Sequence, residues 1–241
     1  MEKAAGIIPA RYASSRFPGK PLAMILGKPM ISMVYESARR SRLLSEVLVA
    51  TDDERIMKAC ADLGIPARMT SPDHGSGTER AAEVARSLGS GLIVNIQGDE
   101  PVLDPGMIDA LVEELQDPSV LMASLMTRVK DPTAFEDLNR VKVVVDKDRN
   151  ALYFSRTPIP CRAPDGFFQH IGIYGYRREF LFRFCALPPS DLEKAERLEQ
   201  LRALEYGYRI RMVETRYLTL SVDTPGDIIE VERYLREKGH D

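Results

Sequence analysis

Short apolar runs and helically patterned segments take turns along the first third of the chain, and that alternation restricts the fold more than any other property of the sequence. Residues 4–8 read as a buried strand, 29–41 as a helix, 47–51 as a second strand and 54–63 as a second helix. Wiring of this βαβα kind predicts an α/β fold with a mainly parallel sheet and right-handed crossovers, and a ligand crevice at the carboxyl ends of the strands. The alternation continues with a helix over 78–88, a buried strand over 92–96, and a helix beginning at Asp104-Pro105. That helix sets Met107, Ile108, Leu111, Val112 and Leu115 on one core-facing stripe.

Past residue 120 the grammar changes. A strand over 120–126 leads into a polar section, and two further strands, 141–145 and 151–155, flank the turn sequence DKDRN. Adjacent strands in place of strand–helix alternation predict a smaller lobe, at about 127–190, inserted in one domain that spans 1–241. A chain of 241 residues can bury a core of that size. Farther on, Leu198, Leu201 and Leu204 form one apolar stripe among solvated charges. Residues 218–222 read as a last strand, ended by Asp223. Thr224 and Asp227 have capping-box spacing, with Pro225 in the first helical turn.

The chemistry begins where the first strand ends. IIPARYASSRFPGKPL, residues 7–22, carries Arg11, Arg16 and Lys20 around a Pro18-Gly19 turn, the composition of a loop that hugs an anion. A P-loop would need Gly where Ser14 stands and Ser or Thr where Pro21 stands, and the dinucleotide glycine fingerprint is missing. Three cations this close repel one another unless an anion joins them, so the loop reads as a triphosphate cradle. Overall charge does not compete with that reading. Lys plus Arg number 33 against 36 Asp plus Glu, a net charge of −3, which argues against a general nucleic-acid surface.

Cys60, Cys161 and Cys185 are too scattered for a disulfide framework or a zinc site and suit a reducing cytoplasm. No leader-like segment precedes the first strand and no run approaches eighteen apolar residues, so the expectation is a soluble, unexported protein without membrane contact.

Two acids follow the apolar strand in QGDEP, residues 97–101, with Gly98 expected to permit an unusual backbone and Pro101 to stop the ladder. Magnesium takes one or two protein carboxylates and completes its octahedron with phosphate and water, so Asp99 is a candidate ligand, while Glu100 is equally a turn residue. TSPDHGSG, residues 70–77, leads into a helix for which Ser76 and Glu79 have capping-box spacing. Gly77 and Thr78 stand where backbone would approach a ligand closely. His74 has no chelating neighbour at metal spacing. Asp52 and Asp53 close the second strand and read as ordinary N-cap residues. Arg156, before the stiff TPIP segment, suits a bidentate grip on a carboxylate, and His170 shares a strand face with Tyr174.

These blocks together resemble the sugar-acid cytidylyltransferases. The likeness is carried by residues 7–22, Thr51-Asp52, Ser76 to Arg80, Asn95 to Pro101, Tyr153 to Pro160, His170 to Arg177, Leu198 to Arg202 and Ser221 to Asp227. It implies a Rossmann-like nucleotide-diphospho-sugar transferase fold, with CTP and a 2-keto-3-deoxy sugar acid as substrates, Mg2+ as cofactor and a homodimer. Pro9, Ala10, Arg11, Arg16, Lys20, Ser76, Gly77, Thr78 and Arg80 would bind nucleotide. Gln97, Arg156, His170, Tyr174 and Glu199 would bind the acceptor. Asp99 and Asp223 would hold metal, joined by Lys20 and Arg11 in catalysis. The family more often has Asp at the position of Glu79. A nucleotidyltransferase for another sugar acid, a glycosyltransferase of similar layout and a non-catalytic nucleotide sensor are the competing readings. A glycosyltransferase would not need the cationic loop, and a sensor would not need both acids.

Overall fold

In the computed structural model the first strand, β1 (Ala4–Ala10), is buried at every position, as a strand covered on both faces must be. The structure describes residues 1–13, 17–163, 165–217 and 219–239. Next come β2 (Met24–Ile25), β3 (Lys28–Pro29), α1 (Met30–Ala38), β4 (Leu44–Thr51), α2 (Glu54–Asp62) and β5 (Ala67–Met69). They are followed by α3 (Gly77–Ala85), β6 (Leu92–Asn95), α4 (Pro105–Glu114), β7 (Met122–Val129), α5 (Pro132–Glu136), β8 (Lys142–Val145) and β9 (Ala151–Ser155). The chain closes with β10 (Phe167–Arg177), α6 (Arg178–Ala186), α7 (Asp191–Glu196), α8 (Leu201–Glu205), β11 (Arg211–Glu214) and α9 (Pro225–Glu237).

Contacts divide the chain into two units, residues 2–109 with 218–241, and residues 110–217. The lobe expected at 127–190 falls within the second.

In the first unit β1 is parallel to both β4 and β6, and β4 is parallel to β5, giving the order β6-β1-β4-β5. The connections run outward on opposite sides of β1, so the loops after β1 and β6 part company and leave a crevice at their carboxyl ends. Residues 11–20 and 97–101 follow those ends. Helix α9 returns to this unit, where Val231 and Leu235 pack with Ile25, Met30 and Val222. Burial of side chains this size contributes about 1.5–3 kcal/mol each, enough to hold the chain's last segment against the crevice.

The second unit has the order β11-β7-β10-β8-β9, with β11 parallel to β7 and the other pairs antiparallel. The β8–β9 hairpin forms as expected, because the Asp146 carboxylate accepts from the N–H groups of Asp148 and Asn150 and closes the turn. The α/β class therefore holds, with the parallel strands concentrated in the first unit.

Two expectations need correction. Residues 219–222 are not a strand: Val222 makes a lone backbone bond, its N–H donating to the Asp99 carbonyl at 2.9 Å, instead of joining a ladder. The stripe of Leu198, Leu201 and Leu204 is not one helix either: Leu198 lies in the connection before α8, and only Leu201 and Leu204 stand on that helix.

Candidate active site

Beyond the end of β1 lies a cleft of about 520 Å³ lined by Pro9, Ala10, Arg11, Lys20, Gln97, Asp99 and Asp223 among others. Its floor depends on a glycine. A Cβ on Gly98 would stand 2.9 Å from the Pro9 carbonyl oxygen, so only a residue without one lets the acidic turn lie against β1. Gly98 is thus required for close approach and not for the unusual backbone expected, because its φ is not positive. Gly77 also lines the cleft, and a Cβ there would meet the Pro9 ring at 3.1 Å.

Lys20 is the centre of the arrangement. Gly19, with φ 72°, turns the chain into a short 3-10 turn, Lys20–Leu22, whose first side chain reaches into the cleft. The Lys20 ammonium donates to Asp99 Oδ2 at 2.6 Å and to the Val222 carbonyl at 2.8 Å, and lies 3.6 Å from Asp223 Oδ1. Distant acids are brought to it by backbone chemistry. The Val222 N–H bond to the Asp99 carbonyl sets the two segments side by side, and the Asp227 carboxylate accepts from the N–H groups of Asp223 and Thr224 at 2.8 and 2.7 Å. Helix α9 therefore begins with Asp223 aimed at Lys20. The lysine side chain is 15% exposed against 29% for Asp99 and 43% for Asp223, so the acids face the cleft while the cation stands deeper.

Two carboxylates converging on one cation, open to solvent on one side, fit magnesium. Among the described residues no group of three or more His, Cys, Asp or Glu gathers into a full metal cage. Magnesium needs none when phosphate and water complete its shell. Glu100 is the third acid nearby and only 8% exposed. Burial, then the negative charges of Asp99 and Asp223 against the opposing pull of Lys20, pushes its carboxyl up to about 8. Its Oε2 has no hydrogen-bond partner among the described residues. At neutral pH it therefore adds little negative charge to the cleft.

The start of α3 adds a positive end. Ser76 accepts the Glu79 N–H at 3.2 Å, while Glu79 reaches past it to the Gly75 N–H at 2.7 Å, so the capping box closes one residue early. The N-terminus of a helix of this length favours anions, and this one opens at Gly77 on the cleft. Thr78 is nearly buried and accepts from Asn95 Nδ2 at 3.3 Å.

Arg80 sits differently from what was expected of a nucleotide ligand. It is fully buried, donating to Asp52 Oδ2 at 2.8 Å, to the Thr70 hydroxyl and to the Ser71 carbonyl, and so ties the end of β4 and the 70–73 loop to α3. Asp53, as expected, caps α2, accepting the Arg55 N–H at 2.9 Å. Arg16 lies outside the described residues. Exchange of Arg80→Met is expected to lower unfolding stability in urea by about 2–3 kcal/mol, because Asp52 loses its buried partner. A loss under about 0.5 kcal/mol would remove Arg80 as the tie.

Of the acceptor candidates, Gln97 lines this cleft and the other four belong to the second unit. Arg156 Nε donates to the Glu196 carbonyl at 2.9 Å, and its terminal nitrogens to the carbonyls of Leu138 and Arg197 at 3.2 and 3.4 Å. These bonds orient the guanidinium on neutral oxygens. Its backbone is held too: the N–H donates to Glu196 Oε2 at 3.0 Å and the carbonyl accepts from the buried Lys142 ammonium at 2.8 Å. Sequence reading missed Lys142, Glu196 and Ser124, whose chemistry becomes visible only when the strands pair.

His170 Nε2 lies 2.9 Å from Ser124 Oγ, which also reaches the carbonyls of Ile171 and Ile173 at 3.2 and 2.9 Å. The single Ser124 hydroxyl is shared among the imidazole and the two carbonyls and fixes the ring's orientation. Burial pushes the His170 pKa down to about 3, which keeps the ring neutral at physiological pH. Its ring packs 5.4 Å from Tyr174 and edge-on to Phe154 at 5.0 Å, matching the shared face expected from spacing. Burial first, and then the Glu199 carboxylate, holds the Tyr174 phenol protonated.

A family model described as Cytidylyltransferase matches residues 5–210 of the chain. A 3-deoxy-manno-octulosonate cytidylyltransferase of Geotalea daltonii is 51% identical over 98% of this chain and 100% of that protein. Its counterpart from Solibacter usitatus is 51% identical over 97% and 95%. Among solved structures, a CMP:2-keto-3-deoxy-manno-octonic acid synthetase complexed with CTP superposes with a TM-score of 0.93 at 43% identity, covering 98% of this chain and 99% of that one.

Proposed function

The chain belongs to the cytidylyltransferase family, and from that premise we propose that it transfers CMP from CTP to the anomeric hydroxyl of 3-deoxy-manno-octulosonate (Kdo), releasing pyrophosphate. The observation that carries the reading is the single Lys20 ammonium held between Asp99 and Asp223 in the cleft that Arg11 and the start of α3 also line. Such a cleft suits a triphosphate with its counter-ion better than a diphospho-sugar or a sensed nucleotide.

Phosphoryl transfer asks the protein mainly for alignment and charge. Arg11, Lys20 and the first N–H groups of α3 hold the triphosphate in line with the acceptor. The acceptor oxygen forms a bond to the α-phosphorus as the bond to the β-phosphate oxygen breaks, and the hydroxyl proton leaves to solvent. Lys20 follows the negative charge that grows on the α-phosphate and the departing pyrophosphate. Asp99 and Asp223 would hold magnesium, which when bound supplies further charge neutralisation and a lowered pKa for the attacking hydroxyl. Arg156 meets the acceptor carboxylate, and Gln97, His170, Tyr174 and Glu199 supply the hydroxyl contacts. CMP-Kdo made this way activates the sugar acid for lipopolysaccharide assembly. In this reading the enzyme works in the cytoplasm as a homodimer; among the described residues no helix is long and apolar enough to cross a membrane.

Incubation with CTP, magnesium and a panel of Kdo, 8-amino-Kdo and a nonulosonic acid tests the proposal by following pyrophosphate. Release with CTP and Kdo is the expected result. Release only with another acid would reassign the acceptor, and none with any acid would remove the transferase reading.

A further inference from the structure

We propose that Arg55 and Tyr12 form a latch that sets the spacing of Arg11 and Lys20, which makes Arg55 a positioning residue for the nucleotide. This rests on the reading of the 11–20 loop as the CTP site.

Tyr12 directly follows Arg11, and its carbonyl accepts the Gly19 N–H at 2.8 Å, so it closes the loop one residue before Lys20. The ring lies against Gly19, where a Cβ would stand 3.1 Å from its Cζ. Over the ring sits the Arg55 guanidinium, its Cζ 3.3 Å from the centroid. Asp53 fixes that guanidinium with two parallel bonds, to Nε at 2.9 Å and to Nη2 at 2.6 Å, while also capping α2. An unbroken set of contacts therefore runs from the first turn of α2 through Arg55 and Tyr12 to Gly19, and from there to Lys20.

A planar cation already held bidentately by a carboxylate has lost its rotamer freedom, so stacking on it orders the tyrosine at little further entropic cost. Arg11 and Lys20 carry like charges, and a ring pinned between them in the chain resists the spreading of the loop. Arg55 itself is 60% exposed along its side chain, so its removal is expected to spare the fold. An exposed cation–π contact of this type corresponds to about a 2–5-fold change in an equilibrium constant.

The test measures KM for CTP at saturating acceptor and CTP affinity by calorimetry, for wild type, Arg55→Ala, Tyr12→Leu, the double variant and Tyr12→Phe. KM and Kd for CTP rise about 2–5-fold in each of the first two single variants. The double variant is no worse than the worse single one, since both break the same contact. Tyr12→Phe keeps the ring and stays near wild type, while acceptor KM and Tm are unchanged throughout. Wild-type CTP constants in Arg55→Ala, or additive effects in the double variant, overturn the latch. A fall in Tm with equal rises in both KM values reduces it to a structural contact and overturns it too. If wild type itself neither binds nor turns over CTP, the cytidylyltransferase reading fails together with the latch; normal wild-type turnover beside an unaffected Arg55→Ala sinks the latch alone.

Discussion

Asparagine in place of Asp99 is expected to cut turnover by about 10²–10³-fold while the protein still melts as a folded chain, and Asp223→Asn is expected to do the same. Both acids meet the Lys20 ammonium, and both are open enough to the cleft to share a metal with phosphate. An amide keeps the shape and one acceptor oxygen but removes the charge that a divalent cation requires. On the proposed reading the two acids hold one ion, so the double variant should lose little more than either single one. The check is steady-state pyrophosphate release at saturating CTP, Kdo and magnesium, with a thermal melt on each variant. Wild-type turnover in either single variant would take that residue out of the metal site.

Lys20→Met comes next in size. A turnover loss of about 10²-fold is expected, with KM for the acceptor nearly unmoved, because in the proposed reading the ammonium meets the phosphates and its charge matters most as negative charge builds on the leaving group. Methionine retains most of the stem's volume, so the 3-10 turn at Lys20–Leu22 should keep its packing. If KM for CTP rises and turnover holds, Lys20 serves docking and not catalysis. The distinction can be read from full rate curves in both substrates.

The parts of this design that were legible in the sequence are those written locally. The β1–loop–α1 alternation, the cap at Asp53, the hairpin turn at Asp146 and the cation-rich loop all depend on neighbours in the chain, and each stands where its residues put it. Lys20, Asp99 and Asp223 came into view as a set only through family likeness, and the structure supplies its physical cause in the lone Val222–Asp99 backbone bond. That same bond explains the misread strand: Leu220 and Val222 are drawn in by the core of Ile25, Met30, Val231 and Leu235, which a strand and an irregular segment can do equally well. Arg80 is a different case. An arginine in a ligand-like motif invites a ligand, yet its partners Asp52 and Thr70 lie 28 and 10 residues away and claim it for the interior. Lys142 and Ser124 escaped notice because a lysine or serine in a strand carries no signal until its cross-strand neighbours are known.

The most direct test of the whole account is a crystal structure of the protein with CTP and magnesium. The account predicts the triphosphate against Arg11, Lys20 and the first turn of α3, with density for a metal touching Asp99 and Asp223. Nucleotide bound away from that cleft, or phosphates facing it without either carboxylate reaching a metal, would contradict it.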